Sequence, residues 1–96
     1  MIPEPAAQMY AVALALDVAA DHPLPKDVAL LIEQGRGLAK AGPLPGRSTV
    51  LFRDAAAAFC RAAARHEPDN GRWIEAAEAL ELGRDMAIAT LGRPDA

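Results

Sequence analysis

Two histidines are the side chains of this chain whose type and spacing come nearest to a metal site. His22 follows the predicted first helix and His66 ends the predicted third, so an alternating bundle would bring both to one end, beside Asp21, Glu67 and Asp69. Imidazole and carboxylate groups in such a cluster could hold a divalent metal. A histidine near a helix C-terminus also interacts favourably with the helix dipole, which is a purely structural role. We therefore predict no metal and no cofactor, and keep His22 and His66 as weak metal candidates.

The lone cysteine is the one residue that could act as a nucleophile through a thiolate. Cys60 lies at the edge of an apolar helical arc, and the nearest histidine, His66, is almost two helical turns away. A nucleophile and its base need hydrogen-bond contact, which this spacing does not provide. We predict a structural cysteine, no catalytic residue and no enzymatic activity. A single cysteine also forms no intramolecular disulfide, so the cytoplasm is the expected compartment.

Acidic side chains recur along one side of the predicted fourth helix. They are Glu75, Glu78, Glu81 and Asp85, and Ile74 and Leu82 flank them. Such a row is either a solvated face or a surface that binds a basic partner, for example by mimicking a phosphate backbone. The net charge of −3 argues against direct binding of nucleic acid.

The elements that position these residues are predicted to be helices. Alanine supplies about a quarter of the 96 residues, and aromatic and β-branched residues are scarce. Prolines and glycines divide the chain into four segments, which run from Pro3 or Glu4 to Ala20, from Pro25 to Ala41, from after Ser48 as N-cap to His66, and from Asp69 or Asn70 to Leu91. Short connections favour an all-α, compact antiparallel four-helix bundle of up-down-up-down order, formed by residues 1–96 as a single helical domain.

The first helix has almost no charge. From Pro5 to Leu16 its only polar side chain is Gln8, and apolar residues occupy two sides of the helical wheel. One side carries Met9, Val12 and Leu16, and the other carries Tyr10, Leu14 and Val18. One side can pack into the chain's own core, whereas the other must be covered either by a second layer of that core or by another protein. We assign self-association to Met9, Val12 and Leu16, although the pattern leaves open which side is intermolecular.

The apolar run of the first helix does not predict a membrane segment. Gln8 interrupts it, Asp17 closes it, and no Lys or Arg precedes it. A bilayer span needs about 18 apolar residues or more, and a signal peptide needs a basic start. No membrane partner is expected.

These features favour a small helical module that acts by binding a protein partner and self-associates as a homodimer. The expected partner-binding residues are Leu30, Ile74, Glu75, Glu78, Glu81, Leu82 and Asp85. One specific form is an inhibitor, such as an antitoxin or a phage anti-CRISPR protein; arginine greatly outnumbers lysine, which is typical of GC-rich bacteria and their phages. The alternative is a bundle that binds a metal ion or a small apolar ligand between its helices.

Overall fold

The computed structural model describes residues 4–21, 25–40 and 47–91, which form four α-helices and no strand. The helices are α1 (Glu4–Asp21), α2 (Pro25–Ala39), α3 (Arg47–His66) and α4 (Arg72–Leu91). The predicted all-α four-helix bundle is confirmed.

Four helix ends differ from the sequence-based prediction: α1 ends at Asp21 instead of Ala20, α4 begins at Arg72 instead of Asp69 or Asn70, and one end each of α2 and α3 also differs. α3 already includes Arg47, so Ser48 lies in its first turn and is not the N-cap. α2 ends at Ala39, and the Lys40 N–H donates to the Arg36 carbonyl at 3.2 Å. At the start of α4, the Asn70 side-chain oxygen accepts a hydrogen bond from the Arg72 N–H at 3.2 Å, as a capping asparagine does.

Contacts between the helices give their relative directions. Tyr10 contacts Asp54 and Asp17 contacts Arg65, so α1 and α3 run parallel. Arg53 bonds to Gly83, and Glu67 to Trp73, so α3 and α4 run antiparallel. Three residues separate α1 from α2, and a connection of this length joins antiparallel helices. The order is up-down-up-down.

α3 is the central helix of the bundle. Its backbone lies close to α1, α2 and α4, whereas within the described residues the backbone of α4 approaches that of α3 alone. Alanines at 55, 56, 62 and 63 of α3 are buried and let the neighbouring helices come close. Because α4 does not pack along α2, a groove stays open between them over α3.

The core joins the aromatic side chains of α3 and α4 to the apolar side of α1. Its largest described members are Met9, Leu16, Ile32, Phe52, Phe59 and Trp73. The rings of Phe59 and Trp73 meet edge to face, with centroids 5.5 Å apart. α2 approaches this pair through Gly35, where an added Cβ would lie 2.1 Å from the Phe59 ring. Glycine is therefore needed at this crossing.

Candidate binding surfaces

The apolar side of α1 that carries Met9, Val12 and Leu16 belongs to the chain's own core. Met9 and Leu16 have no exposed surface and Val12 is 2% exposed. Their assignment to self-association is therefore wrong, because a second copy could reach them only by opening the bundle. α1 supplies its free surface from the opposite side.

That opposite side is an exposed, uncharged row of side chains, Ala7, Ala11, Leu14 and Val18, which we name the α1 stripe. Leu14 is 66% exposed and Val18 is 56% exposed. The spacing of four, three and four residues keeps the row on one side of a helix, as in the seams along which helices pair. The two-sided character of α1 predicted from its sequence thus corresponds to one core face and one free face.

Polar contacts with α3 fix the rotation of α1 and so the direction of the α1 stripe. The Tyr10 hydroxyl donates to Asp54 Oδ2 at 2.5 Å, and Arg84 of α4 donates to Asp54 Oδ1 at 2.6 Å. Burial, together with the hydrogen bond and negative charge of Asp54, raises the pKa of Tyr10 above its ordinary value. Asp17 pairs with Arg65 at 2.7 Å. Asp54 therefore joins α1, α3 and α4.

The outer face of α4 carries a second exposed apolar row. Leu82 and Met86 are 63% and 62% exposed, and the smaller side chains of Ala79 and Ala89 continue the row. Ile74 and Leu82 are exposed, as predicted. Met86 was not predicted to belong to this surface, although its position four residues after Leu82 places both on one helix face.

The acidic side of α4 is divided between neutralised and free carboxylates. Arg61 binds Glu81 through two hydrogen bonds of 2.6 Å, which lowers the pKa of Glu81. Asp85 accepts a hydrogen bond from Arg84 at 3.0 Å. Glu75 and Glu78 are exposed and form no ion pair with any side chain in the described part of the protein. The free negative charge therefore lies in the first half of the helix.

Leu30 is exposed, as predicted, but it is isolated. It is 63% exposed on α2, and the residues one turn further along the helix are the exposed polar side chains Glu33 and Gln34. A single apolar side chain among polar neighbours is ordinary on a protein surface. Leu30 therefore does not extend either apolar row.

The groove between α2 and α4 has a volume of about 460 Å³. Its floor and walls include Phe52, Phe59, Trp73 and Leu80, and its rim includes Arg36 of α2 and Lys40, the residue that follows α2. The Arg36 guanidinium lies over the Trp73 ring, 5.1 Å from the centroid. The Trp73 N–H donates to Glu67 at 2.5 Å, which fixes the indole in the wall. A ligand site between helices was the alternative prediction, but the residues that line this groove could not be predicted because they depend on the distance between α4 and α2.

His66 is hydrogen-bonded to α1, and Cys60 lies in the wall of the groove. His66 Nε2 lies 2.7 Å from the Leu16 carbonyl, which can only accept, so Nε2 donates this hydrogen bond. His22 lies outside the described residues. Cys60 is buried, and burial raises the pKa of its thiol. Within the described ranges no three His, Cys, Asp or Glu side chains gather as a metal ion requires.

Comparison with protein-family models, curated proteins and solved structures found no match to this chain. Among α1 to α4, as far as the structure describes them, no helix combines the length and hydropathy of a membrane span.

Proposed function

We propose that this protein is a helical binding module that self-associates through the α1 stripe and acts by binding a partner protein rather than by catalysis. The observation that carries the proposal is the exposure of Leu14 and Val18 in a row of side chains, from Ala7 to Val18, that contains no charge. Exposed apolar side chains grouped on one face are typical of interaction sites, whereas scattered ones are not.

A second copy of the chain is the occupant that best suits the α1 stripe. A two-fold interface places the same patch on both sides, so a patch without charge can be buried against itself without leaving an unpaired ion. The alanines at 7 and 11 allow two helix backbones to approach closely, and Leu14 and Val18 supply the apolar area.

The expected dimer dissociates on dilution. The stripe spans twelve residues from Ala7 to Val18, about 17 Å of helix. One row of side chains of this length is too small to supply the buried area of a standard interface, about 800 Å² per partner. A contact of this size favours a reversible dimer over an obligate one.

A basic protein surface is the proposed heterologous partner, and it would contact the first half of α4. Glu75 and Glu78 are free of ion pairs with described residues and lie beside the exposed Ile74. An inhibitor of a nucleic-acid-binding protein, such as an antitoxin or a phage anti-CRISPR protein, would use such a surface. The cytoplasm is the proposed compartment, supported by the single cysteine.

The test of self-association compares two exposed leucines. Leu14→Glu places a charge in the α1 stripe, whereas Leu30→Glu places the same charge at an isolated leucine of nearly equal exposure. Light scattering coupled to size exclusion at high protein concentration should give the monomer mass of 10.1 kDa for Leu14→Glu and twice that mass for Leu30→Glu and the unmodified chain. Equal behaviour of the two variants would exclude the α1 stripe as the interface.

A further inference from the structure

The groove between α2 and α4 combines an apolar interior with two cations that form no ion pair with any described carboxylate. Phe52, Phe59, Trp73 and Leu80 line it. In the described part of the chain, no carboxylate lies within ion-pair distance of Arg36 or Lys40, whereas Arg61 and Arg65 each have one and Arg84 has two. Glu33 stands at the same rim, so two cations face one carboxylate there.

The position of Arg36 is defined by the wall of the groove. Its guanidinium lies over the Trp73 ring, a favourable cation–π arrangement that leaves its N–H groups available for an anion. A guanidinium binds a carboxylate through two parallel hydrogen bonds, and an ammonium such as that of Lys40 adds a second, adaptable charge.

We propose that this groove is a ligand site for a small amphipathic carboxylate, whose apolar body lies over Phe52 and Phe59 and whose carboxylate binds Arg36 and Lys40. The volume of about 460 Å³ falls within the range of small-molecule sites. A neutral apolar ligand would leave both cations without a partner, and a fully polar anion would leave the aromatic floor uncovered. The site contains no residue of α1, so it does not depend on self-association.

Trp73 is the only tryptophan of the chain, so its fluorescence reports on this groove alone. Decanoate, kept below its micelle-forming concentration, is the probe, and decanol is the matched neutral ligand. Calorimetry supplies a second readout for variants in which the loss of Arg36 itself changes the fluorescence. The protein variants are Arg36→Gln and Lys40→Gln, with Arg65→Gln as the control, because Arg65 pairs with Asp17 outside the groove.

The expected result is saturable binding of decanoate and at least tenfold weaker binding of decanol. Arg36→Gln and Lys40→Gln should each weaken decanoate binding about tenfold, as the loss of one charge-assisted hydrogen bond does. Arg65→Gln should bind like the unmodified protein. Equal affinity for decanoate and decanol, equal weakening by all three substitutions, or the absence of saturation would overturn the proposal. So would Trp73 fluorescence that changes with protein concentration alone, since a second copy would then fill the groove.

Discussion

Gly35 is the residue whose replacement most directly tests the packing of α2 on α3. An added Cβ would lie 2.1 Å from Phe59, and that ring is buried and held against Trp73. Gly35→Ala should therefore destabilise the protein by about 2 kcal/mol, since overpacking outweighs the better helix propensity of alanine.

Gly37 provides the matched control for that substitution. It lies two residues further along α2, and nothing lies within 4 Å of a Cβ added there. Gly37→Ala should stabilise by up to about 1 kcal/mol. Denaturant unfolding followed by circular dichroism measures both changes, and equal effects of the two substitutions would contradict the close approach of α2 to Phe59.

Tyr10 makes the stability of the protein depend on pH in the alkaline range. Its pKa is raised in the folded state, first by burial and then by Asp54. Above pH about 10 an unfolded tyrosine loses its proton while the folded one keeps it, so the folded state binds more protons and its stability falls as pH rises. Below pH about 10 tyrosine keeps its proton in both the folded and the unfolded state, so the contribution of Tyr10 to the stability of the protein is fully present.

Comparison of the unmodified chain with Tyr10→Phe separates the effect of Tyr10 from the titration of lysines, because the lysines titrate in both proteins. The variant should lose less stability than the unmodified chain between neutral pH and pH 11, about one unit above the ordinary tyrosine value. Because Tyr10 is the only tyrosine, its titration can also be followed by tyrosinate absorbance. Parallel stability curves for the two proteins, or titration at the ordinary value, would contradict the Tyr10–Asp54 contact.

At the scale of the element, the outer face of α4 is predicted to bind a cationic partner through Glu75 and Glu78. An immobilised arginine-rich peptide should retain the protein at low salt and release it as salt is added, because exposed charges are screened. Glu75→Lys combined with Glu78→Lys should abolish retention.

The control for this prediction changes the net charge equally at other sites. Glu33→Lys combined with Asp69→Lys reverses two exposed carboxylates outside α4, so retention should persist. Equal loss in both double variants would mean that overall charge, and not the α4 face, governs binding.

The helices themselves could be predicted from the sequence because their limits follow from local chemistry. Proline and glycine mark the ends, and the apolar periods of α2 and α3 give each a single buried side. α1 was different: its apolar residues surround the helix, so the wheel could not decide between Met9 and Leu14 as the core side. In the folded protein Asp17 forms an ion pair with Arg65 and Tyr10 donates a hydrogen bond to Asp54, and these contacts are made with Met9 on the core side. Arg65 and Asp54 both lie more than 40 residues from their partners in the sequence.

At the scale of the molecule, the arrangement of helices around α3 determines which surfaces are free. α1 and α4 lie on α3 without backbone contact between them in the described residues, and α2 leaves the groove open beside α4. Short connections predict the alternating order but not these distances, so Arg36 and Lys40 could not be identified as groove residues from spacing alone. The burial of Met9, Val12 and Leu16 likewise depends on the positions of α2 and α3 and could not be predicted from the sequence of α1 alone.

The mass of the unmodified chain in solution, measured by sedimentation over a wide range of concentration, tests the central claim most directly. Pairing through the α1 stripe predicts twice the 10.1 kDa monomer mass at high concentration and a smooth return to the monomer on dilution. A mass of 10.1 kDa at every concentration would contradict self-association and leave Leu14 and Val18 without their proposed partner.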